Sequence, residues 1–196
     1  MPVAHGGRGW VRVIAGRYRG LRIETFPGVD VRPTSDRVRE SLFSIVGERV
    51  VGASVLDCFA GTGALGIEAL SRGAAEARFV ERNPGVLQLL RDNLERLKLS
   101  SHATLIPGDA LTPEAWQERG FPAHIIFADP PYRQGLAFRF VDALCRSNRL
   151  EPGSIVIVEH EREIALSHPG FTLMDHRVYG DTAITFLTSP EKENAA

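Results

Sequence analysis

The sequence predicts an α/β fold with a mostly parallel seven-stranded sheet, an antiparallel C-terminal hairpin and a small N-terminal β-hairpin extension. Three observations predict it. Beyond residue 54, short apolar runs alternate with amphipathic segments at helical spacing, the pattern of a parallel sheet covered on both faces by helices. The last two runs, Phe171–Val178 and Ala183–Thr188, are joined directly through Tyr179-Gly180-Asp181-Thr182, so they pair antiparallel. Near the start, two short runs flank a turn with glycine at either end, as a hairpin requires.

In chain order, Trp10–Ile14 and Leu21–Phe26 are the hairpin strands, and Pro27-Gly28 ends their pattern. Thr34-Ser35-Asp36 supplies cap-type residues, and Val38, Leu42, Ile45 and Val46 follow at helical spacing, predicting a helix that runs to Gly47. Strands are expected at Ser54–Phe59, Arg78–Glu81, Ala103–Ile106, His124–Asp129 and Ser154–Glu159. Between and after them, helices are expected at Ala64–Arg72, Pro84–Leu97, Pro113–Glu118 and Leu136–Asn148. The division that follows is 1–30 as a basic hairpin extension, 31–189 as the α/β domain and 190–196 as a polar tail.

A chain of 196 residues suits one domain with a substantial core. No apolar stretch approaches a membrane span, and the first residues lack the apolar segment of a secretory leader. Cys58 and Cys145 form neither a disulfide framework nor a zinc pattern, and six histidines show no ligand spacing, so no metal is expected and a reducing cytoplasm is the expected setting. The net charge of −1 hides an asymmetry: residues 1–49 carry nine arginines against five acids, and five of those arginines precede the first acid, Glu24. Arginine suits bidentate phosphate contacts and stacking on bases. A solvated charged hairpin would also explain the run, but beside a nucleobase site it reads as a nucleic-acid grip.

That site is Asp129-Pro130-Pro131-Tyr132, which closes the apolar run Ile125-Ile126-Phe127-Ala128. The prolines lack N–H groups and stiffen the turn, Asp129 is an anionic acceptor, and Tyr132 offers a flat stacking face. The set suits a planar, amine-bearing substrate such as a nucleobase. A second turn, Ala60-Gly61-Thr62-Gly63-Ala64-Leu65-Gly66, matches the dinucleotide fingerprint, with Glu81 20 residues beyond Gly61. A nicotinamide enzyme is opposed by Asp57, which would repel a pyrophosphate, by the lack of a downstream hydride-transfer acid–base group, and by a second acidic turn at Gly108-Asp109-Ala110. Acids at four strand ends, Asp57, Glu81, Asp109 and Asp129, form an acidic crescent where parallel sheets bind ligands. S-adenosyl-L-methionine fits it: Glu81 can take the ribose hydroxyls, Asp57 the cationic end and Asp109 the adenine amine.

These residues resemble a class I, Rossmann-like methyltransferase of the Asn/Asp-Pro-Pro-aromatic type. Val13–Gly20, Arg32–Phe43, Leu56–Gly66, Glu68–Ala74, Asp129–Tyr132 and Ile157–Glu161 closely resemble the bacterial 16S rRNA guanine-N2 methyltransferase family (RsmD-like), over roughly residues 11–188. The resemblance implies methylation of one guanine exocyclic amine of small-subunit RNA, within small subunits or assembly intermediates, by a monomer. It implies Asp129, Pro130, Pro131 and Tyr132 as the catalytic set, with the amine held by Asp129 and the Pro130 carbonyl, the base stacked on Tyr132 and the methyl transferred in line. The cofactor set is Asp57, Phe59, Gly61, Gly63, Glu81, Arg82, Asp109 and Ala110, with Arg37 and Glu40 on a helix that closes over it. Arg37 and Glu40, one turn apart, are equally a surface ion pair in pattern. The RNA-binding set is Arg12, Arg17, Arg19, Arg22 and Arg32. Tyr132 stands where many relatives have Phe. Glu159-His160-Glu161 fits both a lining of the site and ordinary surface charge. An N6-adenine methyltransferase on DNA or RNA, and a non-catalytic RNA-binding ribosome assembly factor, are the alternative readings. The first would need a larger target-recognition insertion, and intact Asp57, Asp129 and loop glycines oppose the second.

Overall fold

A computed structural model of the protein describes residues 9–25, 34–112, 121–132, 135–147 and 150–190. A short hairpin, β1 (Trp10–Arg12) and β2 (Arg22–Glu24), precedes helix α1 (Thr34–Val46). Then come β3 (Ser54–Cys58), α2 (Ala64–Ser71), β4 (Glu76–Glu81), α3 (Pro84–Arg96) and β5 (Ala103–Pro107). The chain returns through β6 (Ile125–Ala128), α4 (Leu136–Arg146), β7 (Ile155–Glu161), β8 (Thr172–Tyr179) and β9 (Thr182–Thr188). The expected helix over Pro113–Glu118 and residues 1–8 and 191–196 lie outside the described residues.

The seven main strands lie in the order β5-β4-β3-β6-β7-β9-β8. Chain direction along the sheet reverses between β3 and β6, which pair in parallel, and this switch opens a crevice at their carboxyl ends. β9 runs antiparallel between β7 and β8. Its residues Thr182–Leu187 are all buried, whereas β8 is largely exposed, so the apolar run Ala183–Leu187 takes the inner place and the polar strand the edge.

Each face of the sheet has its own core. Phe43 of α1, Ile67 of α2, Leu90 and Leu94 of α3, and Phe79, Phe127 and Phe186 of the sheet pack on one side. Phe140, Val141 and Leu144 of α4 pack with Ile126, Val156 and Val158 on the other. Helix α3 begins where its sequence says: Asn83 accepts from the N–H groups of Gly85 (2.9 Å) and Val86 (3.2 Å), and Pro84 stands at the first helical position.

Two boundaries depart from expectation. β4 starts at Glu76, two residues early, because Ser54 Oγ of β3 donates to Glu76 Oε1 (2.9 Å) and holds the extra pair in register. β1 stops at Arg12, because the Ile14 and Ala15 N–H groups are taken by the Glu68 carboxylate of α2 (2.7 and 3.0 Å) instead of a strand. The hairpin is thereby fastened to the main domain. Ser71 accepts from Tyr18 N (3.0 Å) and donates to Ala15 O (2.5 Å), and Asn93 of α3 bonds both backbone groups of Glu24 (2.9 and 3.0 Å). Val11, Val13 and Ile23 of the hairpin are buried in the same core as α1–α3.

Candidate active site

The register of the sheet aligns the strand ends. Cys58 pairs with Val80 and with Ala128, and Ala128 with Val158, so the next residues, Glu81, Phe59, Asp129 and Glu159, form one row across β4, β3, β6 and β7. Asp109 stands two residues beyond the end of β5, where its Oδ1 accepts from Leu111 N (2.9 Å) and shapes the turn before Ala110, which is buried. The acidic crescent is therefore a single surface, with Glu159 as a member that the sequence left open.

Glu81 is held ready at the edge of that row. Its Oε2 accepts from Gly61 N (3.0 Å) and its Oε1 from Asn83 N (2.8 Å), tying the glycine turn to the start of α3. Phe59 takes a positive φ of 59°, an uncommon state for a residue with a side chain, and its ring meets Phe140 at 5.7 Å. Arg82 is exposed beside Glu81.

Asp57 is placed differently from the expectation that it meets the cofactor's cationic end. It sits one pleat deeper, 2% exposed, and its Oδ2 accepts from Gly66 N (2.9 Å). Burial raises its pKa to about 7 against the effect of the Gly66 bond, and the Glu81 charge raises it further. Its role here is to pin the glycine turn to the strand. Gly66 must be glycine, since a Cβ there would lie 2.3 Å from the Phe79 ring.

Asp129 and Tyr132 sit at the carboxyl end of β6, with Pro130 buried and Pro131 exposed between them. The Tyr132 hydroxyl donates to Glu159 Oε1 (3.0 Å) and lies 2.6 Å from Thr182 Oγ1, which is left to act as donor to it. Burial raises the phenol's pKa, so it stays protonated and keeps donating. Crowding by protein atoms, then the charges of Glu159 and Asp57, push the Asp129 carboxyl well above the usual carboxylate range. Water still reaches the residue, which tempers the first cause and leaves the two neighbouring carboxylates as the firmer one. Thr182, at the β8–β9 turn, had no signal in the sequence. Glu159 had one: an acid closing the apolar run Ile155–Val158, just as Asp129 closes Ile125–Ala128.

Helix α1 is tied to the hairpin. Arg39, 6% exposed, donates to Asp36 Oδ1 and to the Arg12 carbonyl (both 2.7 Å), while burial lowers its pKa. Glu40 lines a cavity of about 600 Å³ with Arg12, Arg19, Ser44 and Arg72, none of them in the crescent, and Arg37 is exposed. Arg12, Arg17, Arg19 and Arg22 are all exposed on the hairpin, and Arg32 lies outside the described residues. The histidines serve structural bonds, such as Ser54 N donating to His124 Nδ1 (3.0 Å) and the 2.7 Å contact of His160 Nε2 with Thr185 Oγ1.

A sheet of this order, with its last strand slotted antiparallel beside β7 and its acids gathered round a glycine turn, is the fold of the class I methyltransferases. An RNA methyltransferase from Salinibacter ruber, solved with S-adenosyl-L-homocysteine, shares it with a TM-score of 0.63 at 15% identity, over 84% of this chain and 97% of its own. The family described as Conserved hypothetical protein 95 matches residues 11–188, and ribosomal RNA small subunit methyltransferase D of Escherichia coli K12 is 41% identical over 83% of this chain and 80% of its own length. The chain belongs to that family, the RsmD-like methyltransferases. The enzyme of the same name from Haemophilus influenzae is 35% identical over 88% of this chain and 91% of its own length. The solved Escherichia coli protein yhhF superposes with a TM-score of 0.83 at 36% identity, covering 94% of this chain and 100% of its own.

Proposed function

We propose that this protein transfers a methyl group, directly and in line, from S-adenosyl-L-methionine to the exocyclic N2 amine of one guanine in small-subunit (16S) ribosomal RNA. The observation that carries the reading is the place of Asp129-Pro130-Pro131-Tyr132, at the carboxyl end of β6 beside the glycine turn of β3, where the sheet order reverses. The names of the relatives support ribosomal RNA as the substrate.

The residues present fit the cofactor. Glu81 is oriented by two backbone N–H groups and, as a carboxylate, retains lone pairs for two ribose hydroxyls. Asp109 and Ala110 would meet the adenine, with Phe59, Gly61, Gly63 and Arg82 around the nucleoside. When bound, S-adenosyl-L-methionine supplies a methyl group on a cationic sulfur, which keeps the electron pair of the S–C bond as the nitrogen takes the methyl.

On the substrate side, Tyr132 stacks the splayed base. The Asp129 carboxylate and the Pro130 carbonyl accept the two amine N–H groups, drawing the nitrogen lone pair out of conjugation with the ring. The proton released from nitrogen goes to Asp129 or to water. Positioning of the two reactants supplies much of the acceleration. The exposed arginines of the hairpin, with Arg32, hold the RNA backbone. The substrate is a small subunit or an assembly intermediate, met by a monomer in the cytoplasm.

The test is transfer of labelled methyl to small subunits from cells lacking this protein, with naked rRNA and duplex DNA in parallel and the labelled nucleoside identified. N2-methylguanosine from subunits supports the reading. Methyladenine moves the chain to the adenine class, and cofactor binding without transfer leaves an assembly factor. Asp129→Ala is expected to lower turnover by about 100-fold or more while cofactor affinity stays close to wild type; full turnover in this variant would sink the mechanism.

A further inference from the structure

The Tyr132 hydroxyl spends its proton on Glu159, and Glu159 follows Val158, the cross-strand partner of Ala128, so that it stands beside Asp129 on the same row. Two carboxylates and an aromatic face thus meet at one point, with Thr182 holding the ring from behind (2.6 Å to the Tyr132 hydroxyl). Tyr132 draws on one oxygen of Glu159, and a carboxylate has about four acceptor sites.

We infer that Glu159 is the specificity-determining residue for the base, accepting the ring N1–H of guanine while Asp129 accepts the neighbouring amine. This rests on the reading of the site as a guanine-N2 methyltransferase centre. The argument is one of matched edges. Guanine presents two adjacent donors, ring N1–H and the N2 amine, and each offsets the repulsion between the two acids. Adenine presents its amine beside a ring nitrogen lone pair, which a carboxylate repels. A site built from two neighbouring acceptors therefore rejects adenine by leaving a desolvated carboxylate facing a lone pair. The same pairing accounts for the raised pKa of Asp129, whose neighbouring charges include Glu159 and Asp57, with the Tyr132 phenol alongside. Guanine binding removes that repulsion.

The experiment uses small subunits reconstituted with rRNA carrying either guanosine or 1-methylguanosine at the methylated position, with wild-type protein, Glu159→Gln, Glu159→Ala and Tyr132→Phe. 1-Methylguanosine keeps the N2 amine and loses only the N1 donor. Glu159→Gln keeps an acceptor for Tyr132 and so guards against a folding defect, which a thermal melt of each variant checks. On guanosine, kcat/KM is expected to fall about 10- to 100-fold in either Glu159 variant, the worth of a charge-assisted hydrogen bond, with cofactor affinity unchanged. Wild-type protein is expected to lose a similar factor on 1-methylguanosine, and the Glu159 variants little more, because the hydrogen bond is already gone. Tyr132→Phe loosens the ring but spares that hydrogen bond, so its loss and that of 1-methylguanosine multiply. The pH profile of kcat/KM in Glu159→Gln is expected to move to lower pH, since one charge facing Asp129 is removed while Asp57 remains. Losses that multiply in the Glu159 variants would overturn the inference and leave the guanine reading standing. Methyladenosine from wild-type protein would overturn both.

Discussion

Asp57 has the Gly66 N–H to set against its lost hydration, and its pKa is raised to about 7 by that burial, with the Glu81 charge adding to it. A carboxyl raised in the folded state binds a proton more tightly there than in the unfolded chain. Its contribution to stability is complete below about pH 4, declines as pH rises, and is lost by the time pH has passed through about 7. Asp57→Asn keeps an acceptor for Gly66 and removes the charge. Urea midpoints between pH 4.5 and 8.5 are expected to show the variant gaining on wild type as pH rises, by on the order of 3 kcal/mol at the upper end. A difference that stays flat with pH would mean that Asp57 is not a buried charge. The residue itself was legible as an acid before a glycine turn, but its role was not. Which way a strand side chain faces depends on the neighbour across the sheet, and Gly66 lies a loop and part of a helix away.

At the scale of elements, the hairpin shows how a basic extension becomes part of the domain. Glu68 is fully buried, with the N–H groups of Ile14 and Ala15 and the Arg72 guanidinium (2.7 Å) on its carboxylate. Gly16 closes the fit, since its φ is +82° and a Cβ would lie 1.9 Å from the Ser71 carbonyl oxygen. Glu68→Ala leaves two amides and a cation without their partner and is expected to cost about 3–5 kcal/mol in urea unfolding. Joint replacement of the exposed Arg17, Arg19 and Arg22 by Ala is expected to leave the urea midpoint nearly unchanged. In RNA binding it should flatten the slope of log K against log salt by about 0.7–0.9 for each phosphate that is no longer neutralised. A Glu68 variant of wild-type stability, or an unchanged salt slope, would show that the hairpin is held, or used, in another way. Periodicity predicted the two strands, and the run of arginines pointed to their charge. The fastening escaped because its partners, Glu68, Ser71 and Asn93, lie 53 to 69 residues on and read as ordinary helix positions.

For the whole molecule, the proposed cofactor site and base site are two halves of one row of strand ends, with Glu81 in one half and Asp129 in the other. S-adenosyl-L-homocysteine at 100 times its Kd is expected to stabilise the fold by about 2.7 kcal/mol, read as a rise in Tm. The rise should survive Asp129→Ala and collapse in Glu81→Ala; loss of the rise in both, or in neither, would mean that the row does not divide in this way. By itself the sequence determined what local patterns can carry: alternation of apolar runs and helical faces made a covered parallel sheet, Asn83-Pro84 started a helix, and Asp129-Pro130-Pro131-Tyr132 marked a stiff acidic turn at a strand end. Only the tertiary structure decided which strand ends stand side by side, that β9 lies inside β8, and that Glu159 and Thr182 meet at the Tyr132 hydroxyl. The physical reason is range. Helix and strand periods are set by neighbouring residues, whereas the register of parallel strands is set by crossovers and by two separate cores, whose packing no short stretch of the chain encodes.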